Sequence, residues 1–445
     1  GEEHLEMLAQ HYEAGGLVER AAHFYLDAAD RARDRYANVK AAEYYRQGLE
    51  LLVDTDVPRR LQGLHHFGDV LQIAGRNDEA LAAFREMLDI AYKLDRKAKG
   101  GVAHNRIGRL YRSIGHLDEA MRHLGTGQAL FVAADDVRGV ASSVDDIGKV
   151  HWMRGSYDAA ERFLAKALVM RQEIGDPRSI ALSYNNLGLV YQDSGRFKEA
   201  QQAWQEALLL RREIGDQAGI AQTLNNLGTI HQDDGDHDRA ISVYLEALEV
   251  ARMVGDRMRQ AVILTNLGES HYRLNRPTEA IETLKKAEEV GAALGDRILE
   301  GEILRGLAKA HMLIHDFGVA RDYIQRSVAL FEQARGKAFL GAALRTMGEV
   351  AAAAGWGGEE HDAAKAAFRK SIAIFEELGN DIELAAGLEA YAAFLSKSSE
   401  GDPILAHEAM QLRSRADEIR QRLRDSAIYE LPPLEGETTD PKITT

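Results

Sequence analysis

The sequence of 445 residues contains no cysteine. Disulfides, thiolate nucleophiles and cysteine-ligated metals are therefore excluded over its whole length. Only 7 residues are proline, and a chain with so few helix-breaking residues is expected to be ordered over most of its length. No apolar run approaches the roughly 20 residues that a membrane-spanning helix needs, so we expect no membrane partner.

The sequence also contains fewer basic than acidic residues. The chain carries 55 lysines and arginines against 70 aspartates and glutamates, which gives a formal net charge of −15. Binding to a phosphate backbone requires a basic face. The composition therefore argues against a direct contact with nucleic acid.

The usual signatures of catalysis are missing from the sequence. No Gly-x-x-x-x-Gly-Lys-Ser/Thr loop occurs, and the stretch HEAMQ at residue 407 lacks the second histidine of a zinc-protease helix. His151, His231, His271 and His311 recur at one position of the repeat, which Tyr111 and Tyr191 also occupy, and equivalent positions of stacked helices lie on the order of 10 Å apart, too far to share a metal ion. We expect no metal, no cofactor and no enzymatic activity.

What the sequence does contain is a repeat of 40 residues. Small residues recur in three parallel series, of which the third breaks after residue 320. The first comprises Gly68, Gly108, Gly148, Gly188, Gly228, Gly268, Ala308 and Gly348; the second Gly75, Gly115, Gly155, Gly195, Gly235, Asn275, His315 and Gly355; the third Ala80, Ala120, Ala160, Ala200, Ala240, Ala280 and Ala320. A fixed period of this length indicates an array of stacked helical units.

Each unit is predicted to be a pair of helices. In the unit that starts at Asp176, this residue is expected to cap a helix whose first position is Pro177. Gly195 suits the left-handed conformation that ends a helix. Gly188 and Ala200 are small, which indicates that the two helix axes approach closely between them. One pair cannot bury both of its faces, so neighbouring pairs must stack.

Leu187, Gly188, Tyr191, Ala200, Trp204 and Ala207 together match the large, small and aromatic positions of the tetratricopeptide (TPR) repeat. With 40 residues per unit and the phrase Asn-Leu-Gly, the array resembles the long repeats of kinesin light chains and of Pins-type spindle-orientation adaptors. The resemblance covers residues 58–395. It implies an all-α, right-handed superhelix (an α-solenoid) of about nine to eleven helix pairs.

The two ends of the chain differ from the array. Residues 1–57 are predicted to form TPR-like helices out of register, and they resemble the segment that opens the C-terminal helical region of bacterial STAND-type ATPase regulators. A four-residue insertion lies within residues 354–364, so that Ala364 takes the place of the alanine expected at position 360. Residues 396–427 are predicted to be a capping helix and residues 428–445 a flexible tail. We interpret the chain as a piece of a longer cytoplasmic protein.

In a TPR superhelix the first helix of each pair lines the concave groove. Offsets from the glycine series place a basic, then an acidic, then an amide and again a basic set of side chains on this lining. Glu269, Arg273 and Glu349 lie at the same offsets but are not among the predicted binding residues. The predicted binding residues are Asn105, Arg106, Arg109, Arg112, Asp146, Lys149, Asn185, Asn186, Gln192, Asn225, Asn226, Gln232, Asn266, Tyr272, Arg305, Lys309 and Arg345.

Two interpretations of this lining remain open. A carboxamide donates and accepts hydrogen bonds, so the row Asn186, Asn226 and Asn266 is suited to the backbone of an extended peptide, as in related grooves. The arginines are suited to carboxylates or phosphates. Alternatively the asparagines bridge neighbouring first helices, and the arginines near Arg106 pair with Asp145 and Asp146.

The sequence therefore predicts a protein-interaction or sensor module that binds a peptide or partner protein in its groove. We expect it to be part of a larger bacterial signalling or transcriptional regulator. The alternatives are a stand-alone scaffold adaptor and an autoinhibitory domain that acts on an ATPase, kinase or cyclase domain of its own chain. The acidic tail is a further candidate for the groove, as a pseudo-ligand from the same chain.

Overall fold

The structure is a computed structural model that describes residues 2–35, 37–53, 55–292, 294–355, 358–398 and 402–429. These residues form 21 helices, and no strand occurs among them. The chain divides into two compact units, residues 1–210 and residues 211–445, and each is described by itself. The predicted all-α architecture of helix pairs is confirmed.

The first unit contains α1 (Glu2–Ala14), α2 (Val18–Asp34), α3 (Asn38–Leu51), α4 (Val57–Ile73), α5 (Asn77–Lys93), α6 (Lys97–Ser113), α7 (Leu117–Ala133), α8 (Val137–Met153), α9 (Tyr157–Ile174), α10 (Pro177–Asp193) and the start of α11 (Phe197–Glu213). The second contains α12 (Gln217–Asp233), α13 (His237–Met253), α14 (Arg257–Arg273), α15 (Pro277–Gly291), α16 (Arg297–Leu313), α17 (Phe317–Ala334), α18 (Lys337–Ala354), α19 (Glu359–Leu378), α20 (Asp381–Ser398) and α21 (Pro403–Tyr429). From α4 onward the even-numbered helices are the first helices of the pairs, and we call the surface that they form the first-helix face. Within the described residues, no helix is long and apolar enough to cross a membrane.

The two helices of each pair are held together by a close approach at the small residues of the repeat. A Cβ atom added to Gly188 of α10 would lie 2.4 Å from Nε1 of Trp204 on α11, and one added to Gly228 of α12 would lie 2.5 Å from Tyr244 on α13. The alanines of the third series, from Ala80 to Ala320, are completely buried. Both small positions therefore serve packing, as the sequence predicts, and the large aromatic ring fills the space that the glycine leaves.

Four joints between pairs, those with the sequence Gly-Asp, share a backbone conformation. Gly175, Gly215, Gly255 and Gly295 have φ angles between 69° and 74°, the left-handed conformation in which glycine has no steric penalty. The side chains of Asp216, Asp256 and Asp296 then accept a hydrogen bond from the first turn of the next helix. Asp176 occupies the N-cap position before Pro177, as predicted, but its side chain accepts no such hydrogen bond.

The insertion in the second unit shifts the packing register by four residues. Gly348 of α18 faces Phe368 of α19, where a Cβ on the glycine would lie 2.5 Å from the ring, and Ala364 is buried at the small position. The predicted alanine shift is therefore confirmed, and α20 and α21 continue the stack. The domain boundaries after residues 57, 395 and 427 stay predictions, and residues 430–445 of the predicted tail lie outside the described residues.

The close approach at Gly188 predicts a measurable cost for a single methyl group. Gly188→Ala should lower the free energy of unfolding by about 1–3 kcal/mol, because overpacking against the buried Trp204 outweighs the gain in helix propensity. Gly125→Ala on α7 is the matched control, since nothing lies within 4 Å of its added Cβ atom. This control should raise stability by about 0.5–1 kcal/mol. Urea denaturation measures both variants, and equal stability of the two would contradict the packing argument.

Candidate binding site on the first-helix face

In the first unit, the first-helix face contains a buried carboxylate that holds two arginines. Asp146 of α8 is 1 % exposed. It accepts hydrogen bonds from Nε of Arg109 and, at 3.0 Å, from Nη1 of Arg112, both on α6. The arrangement joins two successive first helices by a charge-assisted network. The predicted basic patch is therefore occupied by a carboxylate of the chain itself.

The neighbouring Asp145 is held just as firmly. Its carboxylate lies 2.7 Å from Nζ of Lys149 and 3.0 Å from Nη1 of the buried Arg171, and it accepts a hydrogen bond of 3.0 Å from Nδ2 of Asn186. Burial by itself raises the pKa of Asp145, but these cations outweigh burial and hold the pKa below its ordinary value. Asp145 is therefore ionised, and Asn186 of α10 serves as one of its donors.

Several predicted binding residues of this unit are enclosed. Asn105, whose Oδ1 accepts a hydrogen bond from Ser143, is 4 % exposed, Asn185 is 2 % exposed and Asn186 is 6 % exposed. The expectation that these amides and Asp146 line an open surface is therefore wrong. Arg106, which forms an ion pair with Asp69 at 3.0 Å, and Gln192 are partly exposed. Their predicted roles in binding stay predictions.

The buried pairing predicts a stability effect that separates Asp146 from ordinary surface carboxylates. Asp146→Ala should lower the free energy of unfolding by about 2–4 kcal/mol, because it leaves Arg109 and Arg112 without their counter-ion in a nearly enclosed site. Glu119→Ala, which removes the exposed partner of Arg122, should leave the free energy of unfolding nearly unchanged, because water and salt screen an exposed ion pair. Urea denaturation of both variants is the measurement. A loss as small for Asp146 as for Glu119 would show that the network contributes little.

The amides of the second unit bridge neighbouring helices. Nδ2 of Asn266 on α14 donates a hydrogen bond of 3.1 Å to Oδ1 of Asn225 on α12. Gln232 accepts a hydrogen bond of 2.8 Å from the hydroxyl of Tyr244. Asn225, Asn226 and Asn266 are nevertheless only partly buried, so their edges also reach the surface. The bridging interpretation is correct for the pair Asn225 and Asn266.

Further along the second unit, the first-helix face opens into a cleft of about 420 Å³. This volume lies within the range of roughly 300–1,000 Å³ that is usual for ligand sites. The first helices α14, α16, α18 and α20 each contribute to its walls. The lining residues are Tyr272, Arg273, Arg305, Lys309, Arg345, Thr346, Glu349, Ala386, Glu389 and Ala390. We call this site the second-unit cleft.

Carboxylates behind the walls fix three of the cations of the second-unit cleft. Both oxygens of Glu269 lie 2.8 Å from Nζ of Lys309. Arg305 binds Glu302 through two parallel hydrogen bonds of 3.0 and 2.6 Å, and Arg345 binds Glu383 of α20. Bidentate pairing of this kind orients a guanidinium rigidly.

The protonation of these groups is set by their surroundings. Burial raises the pKa of Glu269, but the ammonium of Lys309 overcomes it and lowers that pKa to about 2. Burial lowers the pKa of Lys309, and the Lys309 ammonium also lies 4.6 Å from the ring centroid of Tyr272. The walls therefore hold fixed charges at neutral pH.

Glu349 is the exception in the second-unit cleft. Its closest cation is Nε of Arg345, at 3.8 Å, and its side chain is 34 % exposed. Among the described residues it accepts no hydrogen bond, whereas Glu389 is bound by Arg420 of α21 with one contact of 2.7 Å. Burial raises the pKa of Glu349 even though four cations act in the opposite direction.

The structure brings together some, but not all, of the predicted residues. Tyr272, Arg305, Lys309 and Arg345 meet in the second-unit cleft. Sequence reasoning missed the remaining six lining residues as site residues, although the lining offsets include Arg273 and Glu349. Glu389 and Ala390 follow Arg345 and Thr346 by 44 residues, so the recognised four-residue insertion, carried into α20, is the signal that identifies them.

A family model of the tetratricopeptide repeat matches residues 139–213, 179–253, 219–293 and 259–333. Residues 139–333 are tetratricopeptide repeats. No curated protein matches the sequence significantly. The resemblance to the TPR repeat at the large, small and aromatic positions is thereby confirmed for residues 139–333.

Solved structures show the same fold at low sequence identity. A Rap protein complexed with Competence and Sporulation Factor is 14 % identical with a TM-score of 0.57, over 83 % of this chain and 99 % of that one. The apo quorum sensor NprR from B. thuringiensis is 16 % identical with a TM-score of 0.57, over 78 % of this chain and 99 % of that one. A STAND protein with a tetratricopeptide repeat sensor from Pyrococcus horikoshii is 16 % identical with a TM-score of 0.53, over 88 % of this chain and 54 % of that one. This chain therefore spans about half the length of the STAND protein.

Proposed function

We propose that the chain is a non-catalytic protein-interaction module that binds a peptide or protein segment on its first-helix face, in a cytoplasmic bacterial signalling regulator. The observation that carries this proposal is the second-unit cleft. Its lining combines fixed cations, a partly exposed glutamate, an aromatic ring and the small side chains of Ala386 and Ala390. Such a lining offers both hydrogen bonds and space to an extended segment.

The similar structures support this proposal. One Rap protein is complexed with Competence and Sporulation Factor, and another, the conjugation regulator of the plasmid pLS20, with the Phr* peptide. The NprR protein is a quorum sensor, and the repeats of the STAND protein form a sensor. Proteins with the same fold are therefore found in complexes with a factor or a peptide, and others are sensors.

The second-unit cleft is a better candidate for the binding surface than the first-unit network. Asp145 and Asp146 of the first unit are at most 2 % exposed and are surrounded by their own partners. A ligand would have to break several buried ion pairs to reach them, at a cost of several kcal/mol. In the second-unit cleft, Arg273 is 56 % exposed and Glu349 is 34 % exposed, so a ligand contacts them without opening the fold.

A substitution that fills the cleft tests this function directly. Ala390→Met should weaken binding of a partner by tenfold or more, because the long uncharged side chain occupies space that the partner needs, while no native contact of a polar group is lost. Ala363→Met, at an exposed position of α19, introduces the same side chain outside the cleft. Proteins captured from lysate by the wild type are identified, and their dissociation constants are measured with both variants. Equal binding by Ala390→Met and Ala363→Met, with unchanged thermal stability, would rule out the cleft.

A further inference from the structure

The charges around the second-unit cleft balance only when Glu349 is counted. Arg273, Arg305, Lys309 and Arg345 line the cleft, and Arg420 reaches it through Glu389. Four carboxylates other than Glu349 pair with these five cations. These carboxylates are Glu269, Glu302, Glu383 and Glu389. The walls of the cleft therefore carry one positive charge in excess, and Glu349 neutralises it.

Glu349 is held less firmly than its neighbours. Each of the four paired carboxylates accepts a hydrogen bond from an arginine or lysine. Among the residues that the structure describes, Glu349 has only the contact of 3.8 Å to Arg345, beyond hydrogen-bond distance. Its carboxylate thus lies among the cations of the cleft without being fixed there.

From this arrangement, and resting on the proposed function, we propose that the second-unit cleft binds a carboxylate of the partner segment. The partner carboxylate binds the cations that face Glu349, and Glu349, which stays beside it, takes up a proton. Arg345 and Lys309 supply the charge, Tyr272 lines the wall, and Glu349 is a built-in competitor for the ligand. The ligand class is therefore an acidic segment, which offers the carboxylate of an aspartate, of a glutamate or of a chain terminus.

The surroundings of Glu349 support the coupling to a proton. The charged or titratable groups that face it are Tyr272 and Arg273 of α14, Arg305 and Lys309 of α16, Arg345 of α18 and Glu389 of α20. The second helices that pack against α18 do so through aromatic rings. Phe331 of α17 stacks on Phe339 at a centroid distance of 5.6 Å, and Phe368 and Phe375 of α19 meet Gly348 and Gly341.

The sign of the pH dependence follows from this geometry. A second carboxylate beside Glu349 disfavours its ionised form and raises its pKa further. The complex therefore holds more protons than the free protein, so affinity rises as the pH falls. The limit for one proton is about tenfold per pH unit. The partner carboxylate itself stays ionised above about pH 5, because ordinary glutamates titrate near 4.3.

Calorimetric titration of the full chain tests the proposal with defined probes. The first probe is the capped peptide acetyl-Gly-Glu-Gly-Glu-Gly-amide, and its glutamine counterpart is the matched neutral peptide. Acetyl-pentaglycine with a free carboxyl end is compared with its amide. This comparison shows whether the cleft recognises the carboxylate of a chain terminus as well as that of a side chain. Dissociation constants are measured at pH 7.5 and 5.5 at one ionic strength. The wild type should bind a carboxylate peptide at least fivefold more tightly at the lower pH.

Two variants assign the effect to Glu349. Glu349→Gln should bind the same peptide roughly tenfold more tightly at pH 7.5, since a like charge a few ångströms away is removed, and it should lose the pH dependence. Glu282 is an exposed residue of α15. Glu282→Gln makes the same change in net charge outside the cleft and should leave the affinity and its pH dependence unchanged. Arg345→Gln should weaken binding about tenfold, and circular dichroism checks that it remains folded.

Several results would overturn the proposal. Equal affinity for the glutamate and glutamine peptides would show that no carboxylate is recognised, yet it would leave peptide binding as the proposed function standing. Glu349→Gln that binds no better than Glu282→Gln would show that Glu349 is no competitor. Absence of binding to both the wild type and Glu349→Gln, or tighter binding of inorganic phosphate than of any carboxylate peptide, would also reject it. The partner measurements with Ala390→Met test the proposed function independently of these outcomes.

Discussion

The close approach of two helix axes at a glycine is the constraint on which this structure depends. Nε1 of Trp204 fills the space over Gly188 and donates a hydrogen bond of 3.2 Å to the carbonyl of Asn185. One aromatic side chain thus fixes both the distance and the register of its helix pair. The same contact recurs with Phe84, Tyr244 and Phe368 at the corresponding glycines. The small and aromatic residues pack the two helices of each pair against one another. Polar side chains therefore make up the first-helix face.

The two units use these polar groups differently. In the first unit the carboxylates of Asp145 and Asp146 are enclosed by cations from α6, α8 and α9, so that the face is satisfied internally. In the second unit Glu269, Glu302 and Glu383 pair with the cations but lie outside the lining, which leaves a cleft between those cations. The same packing of helix pairs therefore supports a closed network in one place and an accessible site in another.

The period of the small residues predicted the helix pairs, the joints and the four-residue shift, because steric exclusion acts locally and identically in every repeat. The first-helix face was predicted less well. Helical offsets correctly placed Arg305, Lys309 and Arg345 near one another, but they did not show how deeply each side chain of the face is buried. Asn186 is buried where it donates a hydrogen bond to Asp145 of the preceding repeat, and Glu389 enters the cleft because the insertion changes its register. Both facts depend on contacts between repeats rather than on the pattern within one.

The hydrogen bond from Asn186 to Asp145, which spans 41 positions, has a consequence for how such an array evolves. Asp145 and Asp146 suit the arginines of the preceding repeat, and Asn186 suits Asp145, so each unit is matched to specific neighbours. Loss of residues 137–176 would preserve the glycine contact within each remaining pair and still set Asn186 beside Arg109 and Arg112, which would lack the carboxylate of Asp146. The repeats therefore share one packing pattern but are not interchangeable. Recombination that deletes a repeat leaves charged side chains without their partners, which destabilises the array and disfavours a change in repeat number.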